Sequence, residues 1–134
     1  MKIVYVDMCA DLFHYGHVEF LRRAKNYGDK LFVGIHNDAT IQSYKRQPIL
    51  SMDARIRVVE ACRYVNKVIP DAPLFITKEY IDRHGINLIV TCERTREEIE
   101  QMYKIPYELG ILTQIPYTYG ISTTEIIKRI KERE

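Results

Sequence analysis

Apolar residues along this chain follow two rhythms. Residues 3–6 (Ile-Val-Tyr-Val) and 31–35 (Leu-Phe-Val-Gly-Ile) are short runs of apolar residues and glycine between polar neighbours, and 65–69, 86–91 and 110–115 are interrupted versions of the same pattern. Runs of this length, apolar on both sides, predict strands buried on both faces. Between them the spacing widens to three and four. His17, Phe20, Leu21, Ala24 and Tyr27 predict a helix over 16–27 that Gly28 ends. Ser51 can cap a helix over 52–64 with Ile56, Val59 and Cys62 on its inner face, and residues 77–84 predict another, stopped by Gly85. Thr95-Arg96-Glu97-Glu98 and Ser122-Thr123-Thr124-Glu125 have capping-box spacing. The first opens a helix to Tyr103, and the second opens a final helix with Ile126, Ile127 and Ile130 inward. The polar stretch 36–50, with Pro48 near its end, is expected to be a loop.

Strands alternating with helices predict an α/β fold: a Rossmann-like, open, mainly five-stranded parallel sheet with helices on both faces. At roughly 150 residues per domain, the 134 residues form one domain, 1–134. In such sheets ligands bind beyond the carboxyl ends of the strands, near the point where strand order reverses. That directs attention to 7–17, 36–46, 91–96 and 116–123.

Composition narrows the classes. Twenty Lys and Arg against eighteen Asp and Glu leave a net charge of +2, too small a field for a dedicated nucleic-acid binder. No run approaches the ~20 apolar residues of a membrane span, and the amino terminus lacks a signal-type apolar core. Cys9, Cys62 and Cys92 fit neither a metal motif nor a disulfide framework, so reduced thiols and a cytoplasmic location are expected.

The segment after the first strand carries the chemistry. His14 and His17 lie three residues apart around Gly16, where a helix begins. A helix amino terminus presents free N–H groups and the positive end of the dipole, which attracts phosphate. Glycine lets backbone and ligand approach closely, and two imidazoles can donate to phosphate oxygens. By itself a His pair also fits a metal site or a chance surface arrangement.

Asp11-Leu12-Phe13-His14-Tyr15-Gly16-His17 after that strand resembles the signature of the HxGH nucleotidyltransferases. Arg55 with Val59, then Cys62-Arg63-Tyr64-Val65-Asn66-Lys67-Val68-Ile69, and finally Gly120-Ile121-Ser122-Thr123-Thr124-Glu125-Ile126-Ile127 continue the likeness in order. Together they resemble the small CTP:phospho-alcohol cytidylyltransferases, the group acting on glycerol, choline and ethanolamine phosphates. The resemblance implies that a phosphate or phosphonate oxygen of a small acceptor attacks the α-phosphorus of CTP and pyrophosphate leaves. His14, His17 and Lys45 would be catalytic. Asp11, Gly16, Arg55, Arg63, Gly120, Ile121, Ser122 and Thr123 would hold nucleotide or phosphate. Met8, Cys9, Ala10, His36, Glu93 and Arg94 would face the base or the acceptor. Mg²⁺ arriving with the triphosphate and a homodimer with residues 63–65 near its interface are implied too. The sequence departs from the family in Met8-Cys9-Ala10, in Thr91-Cys92-Glu93-Arg94 for His-Gly-Asp-Asp, and in Tyr117-Thr118-Tyr119, where an arginine is usual. Arg94 or Arg96 could replace that arginine in space. Adenylyl transfer from ATP and nucleotide binding without turnover are the alternatives.

Overall fold

The computed structural model describes residues 1–117 and 120–133. Five strands, β1 (Ile3–Met8), β2 (Lys30–Ile35), β3 (Lys67–Ile69), β4 (Leu88–Cys92) and β5 (Leu112–Ile115), form one sheet in the order β3-β2-β1-β4-β5, with every neighbouring pair parallel. The chain winds outward from β1 to β3 and then returns to the other side of β1, so order reverses between β1 and β4. The cleft expected at a switch point therefore opens above the carboxyl ends of these two central strands.

The strands carry the core on both faces. β1 sends Val4 and Val6 into a cluster with Leu21 and Ala24 of α1 (Tyr15–Lys25) and Val59 of α3 (Met52–Glu60). Tyr5 points the other way, among Tyr80 and Ile81 of α4 (Lys78–His84), Ile89 and Tyr103. This period-two division explains the unbroken apolar run. Gly34 makes room for the Tyr5 side chain, since a Cβ there would stand 2.1 Å from the Tyr5 hydroxyl.

Several elements differ from the sequence expectation. β1 continues through Asp7 and Met8, so Met8 is extended strand and needs no glycine; the left-handed backbone lies at Ala10 (φ 60°) and Leu12 (φ 48°) instead. The expected loop at 36–50 contains α2 (Asp38–Gln42), capped by the Asn37 side chain, which accepts from the Thr40 N–H at 2.8 Å. A single turn with one buried residue, Ile41, is too short to show periodicity. α3 ends at Glu60 rather than Tyr64, and its inner face is Arg55 and Val59, with Ile56 only partly buried. The helix opened by Thr95 starts as α5 (Arg96–Glu98), widens into a π segment (Ile99–Tyr103) and runs on as α6 (Lys104–Glu108). Pro106 cannot bond the Met102 carbonyl, which instead accepts the Ile76 N–H at 3.1 Å. In α7 (Thr123–Lys131) no residue is fully buried, and Ile130, expected inward, is 59% exposed. No described helix is long and apolar enough to cross a membrane.

Candidate functional site

A cavity of about 560 Å³ opens where the cleft was expected, a volume typical of small-ligand sites. One wall is the β1–α1 loop with the start of α7; the opposite wall comes from the ends of β2 and β4 and from the π segment.

The first wall is fixed by backbone. His14 is the N-cap of α1, and its Nδ1 accepts the Gly16 N–H at 3.1 Å. His17 Nδ1 accepts the His14 N–H, also at 3.1 Å. An imidazole nitrogen that accepts carries no proton, so both rings hold theirs on Nε2. The rings lie 4.0 Å apart, and Phe13 stacks on His17 at 5.2 Å. Burial lowers the pKa of both; for His17, burial and then the neighbouring His14 and Lys45 push it down to about 3. At neutral pH the wall therefore presents two uncharged Nε2–H donors. Gly16 is required by packing, because a Cβ there would sit 2.8 Å from the His14 ring and 3.2 Å from an Ile121 methyl.

Three loops meet at Asp11. Its buried carboxylate accepts the Ile49 and Leu50 N–H groups at 2.7 and 2.9 Å, and its carbonyl accepts the Thr123 hydroxyl at 3.0 Å. Ser122 caps α7 by accepting the Glu125 N–H at 3.0 Å. Gly120 adopts φ 103°, where a Cβ would come within 3.0 Å of the Tyr15 hydroxyl. Lys45, exposed after α2, lines the cavity, and Arg46 reaches Thr124 at 3.4 Å. Ile121, Ser122, Thr123 and Tyr117 line it too. Thr118 and Tyr119 lie outside the described residues.

The opposite wall is a chain of side chains. Tyr103 donates to Asp7 at 2.7 Å, Asp7 meets His36 Nε2 at 3.2 Å, and His36 Nδ1 meets the Tyr44 hydroxyl at 2.8 Å. The Asp7 side chain is 2% exposed. Burial first, then the charge of Asp7, holds the Tyr103 phenol well above its ordinary pKa, so it stays a donor. Arg94 lies over the Tyr103 ring at 5.6 Å and donates through Nε to Thr91 at 3.0 Å. Met8, Cys9 and Ala10 line the cavity between the two walls. All three cysteines are free thiols, and burial raises that of Cys9.

Three expected ligands are elsewhere. Arg55 is 0% exposed and does not reach the cavity. Its five N–H donors meet five acceptors: the carbonyls of Leu50, Cys9 and His36, the Asp38 carboxylate at 2.6 Å and the Met52 sulfur. A guanidinium has five donors, so none remains for phosphate. Arg63 is exposed, stacked on Tyr64 at 5.6 Å, in the turn entering β3. The next residues, through Asn66, bond to Leu31 at the start of β2, so Arg63 lies at the amino-terminal edge of the sheet, opposite the cavity. Glu93 is exposed and outside the cavity lining, as is Arg96; of that segment Thr91, Cys92 and Arg94 line it. Asp7, Tyr44, Thr91 and Tyr103 were not among the expected site residues. Asp7 and Thr91 had a signal, each standing at the carboxyl end of a central strand.

The cytidylyltransferase-like family pattern matches residues 5–129. The chain is 41% identical over 135 residues to an ethanolamine-phosphate cytidylyltransferase from Dictyostelium discoideum, covering 96% of this chain and 38% of that protein. It is 34% identical over 131 residues to a human choline-phosphate cytidylyltransferase A, covering 95% of this chain and 36% of that one. This chain thus spans less than two fifths of either relative. Among solved structures, a lipopolysaccharide core biosynthesis protein from Thermoplasma volcanium shares the fold, with a TM-score of 0.69 at 23% identity over 91% of this chain and 99% of that one. With the family pattern running from β1 into α7, across both walls of the cavity, the chain belongs to the cytidylyltransferase-like family.

Proposed function

We propose that this chain transfers CMP from CTP to a small phosphorylated alcohol. An oxygen of the acceptor phosphate attacks the α-phosphorus, the bond from that phosphorus to the bridging oxygen breaks, and pyrophosphate leaves. The observation that carries this reading is the pair of neutral Nε2–H donors of His14 and His17 at the start of α1, beside Lys45 and Thr123. In-line phosphoryl chemistry asks mainly for positioning and for stabilisation of charge on the phosphate oxygens. The histidines would donate to the oxygens on which charge grows. Lys45 would neutralise charge shared by donor and acceptor phosphates, and the start of α7 would take the outgoing pyrophosphate. Relatives named for ethanolamine and choline phosphates support the acceptor class.

Mg²⁺ would be carried by the triphosphate. The described residues hold no group of three or more His, Cys, Asp or Glu able to bind a metal, and the carboxylates of Asp7 and Asp11 already accept two hydrogen bonds each. Bound there, the ion would offset phosphate charge. A homodimer joined near residues 63–65 is proposed from the family resemblance, and light scattering tests it.

Pyrophosphate release tests the reaction: each nucleoside triphosphate is incubated with Mg²⁺ and glycerol 3-phosphate, phosphoethanolamine or phosphocholine. CTP-dependent release that His17→Ala abolishes supports CMP transfer. Release with ATP alone would replace it with adenylyl transfer, and tight CTP binding without turnover would make the chain a nucleotide-binding module.

A further inference from the structure

The geometry points to Arg94 as a specificity-determining residue: it closes the aromatic surface of the acceptor end and so turns the site away from quaternary ammonium head groups. The inference rests on the CMP-transfer reading for its substrate class, and on Arg94's own contacts for its direction.

A trimethylammonium group donates no hydrogen bond. Proteins recognise it by surrounding it with aromatic faces, whose negative quadrupoles attract the cation. The wall built on Asp7 and His36 offers two such rings, Tyr44 and Tyr103. Each already has a cation of this chain over it: Lys45 Nζ lies 5.9 Å from the Tyr44 centroid and Arg94 Cζ 5.6 Å from that of Tyr103. The two contacts are unequal in strength. Lys45 is exposed on a loop, whereas Arg94 is anchored at the end of β4 by its Nε bond to the buried Thr91 and by Glu98 at 3.5 Å. The Arg94 side chain is 28% exposed, while Tyr103 beneath it is 1% exposed although it belongs to the cavity lining.

The carboxylates do not compensate. Both oxygens of Asp7 already accept, from Tyr103 and from His36, and Glu98 is shared between Arg94 and the Thr95 N–H. An incoming methylated cation would meet a guanidinium where it needs a ring face. A tail that hydrogen-bonds has partners a methylated cation cannot use. A hydroxyl can accept from the Arg94 Nη2 group, which makes no hydrogen bond to a described residue, and a hydroxyl or a primary ammonium can donate to the side-chain carbonyl of Gln101, which lines the same end. The acceptor class narrows accordingly to small phosphorylated alcohols with a hydroxyl or amino tail.

The test measures kcat/KM for glycerol 3-phosphate, phosphoethanolamine and phosphocholine at saturating CTP, in the wild-type chain and in Arg94→Gln. Phosphocholine is expected about tenfold or more below the better of the other two in the wild type. Arg94→Gln should close most of that gap through the KM for phosphocholine and leave the KM for CTP within about twofold. A wild-type chain that prefers phosphocholine overturns the assignment without any variant. So does an acceptor ranking unmoved in an Arg94→Gln protein whose circular dichroism matches wild type. If no acceptor releases pyrophosphate, CMP transfer fails, and binding decides Arg94 separately. Tetramethylammonium, followed by ligand-observed NMR, should bind Arg94→Gln and not wild type; equal behaviour of the two proteins sinks the idea.

Discussion

The two walls of the cavity are built on opposite plans. On the His14–His17 side each imidazole is held by a local backbone bond, spanning two or three residues, and the two rings keep one donor each in reserve. On the Asp7 side the geometry comes from side chains meeting side chains, 96 residues apart for Asp7 and Tyr103 and 29 for Asp7 and His36. Under the proposed reaction the first arrangement suits a wall that must present fixed donors to whichever nucleotide enters. The second suits one that can be retuned by changing a single partner. A catalytic pair tied to its own helix cap is hard to vary without losing the helix start, whereas Arg94 can be exchanged with little effect on the backbone.

Removing Arg55 should give the largest effect and act on stability. Arg55→Met strands the three carbonyls that bind the guanidinium and frees Asp38, a loss of about 3–5 kcal/mol in urea unfolding. Unchanged stability with loss of CTP binding would return Arg55 to the role of phosphate ligand. The local wall should respond in the opposite currency. His17→Ala should lower kcat by about 10²–10³ while leaving the fold in place. His14→Ala should lose activity similarly and additionally about 1 kcal/mol of stability, because His14 is also the N-cap.

Acid sharpens the same contrast. The His17 imidazole is held neutral down to about pH 3, whereas in the unfolded chain it takes a proton near 6.5. The unfolded state then binds more protons, so the stability contributed by this site is complete above pH 6.5 and drains away as pH falls toward 3. Melting temperatures measured from pH 7.5 to 4.5 should decline less steeply in His17→Gln. Nitrogen NMR should show a neutral Nε2–H ring for His17 at pH 6; an imidazolium signal for it there would falsify this account of the wall. The smallest effect is expected from Tyr103→Phe, which removes one hydrogen bond to Asp7 and should cost about 1–2 kcal/mol in urea unfolding. A neutral outcome would mean that His36 alone satisfies the carboxylate.

The difference between the walls also explains what could be read in advance. The HxGH pair, the α7 cap and the strand alternation are local patterns, and each appears in the structure at the expected position. The side-chain chain from Tyr44 to Tyr103 joins four segments that no spacing relates; His36 was expected at the site and Asp7 stands at the end of the first strand, but neither tyrosine carries a local signal. The family resemblance assigns Arg55 and Arg63 to phosphate by position in the motif blocks, which says nothing of where each side chain turns. Helical phase places Arg55 on the inner face with Val59, and the turn leading into β3 places Arg63 at the far edge of the sheet. Glu93 was expected at the site because acidic residues are usual there, yet the segment turns Thr91 and Arg94 to the cavity instead.

Asp11 has a consequence for the thermodynamics of binding. One residue joins the β1–α1 loop, the segment entering α3 and the start of α7, positions 38 and 112 residues further along the chain. Three loops that would otherwise each lose conformational entropy when a ligand arrived are ordered together during folding. The ordering cost is met once, by the fold, and association with a charged ligand can proceed with little further loss of backbone freedom.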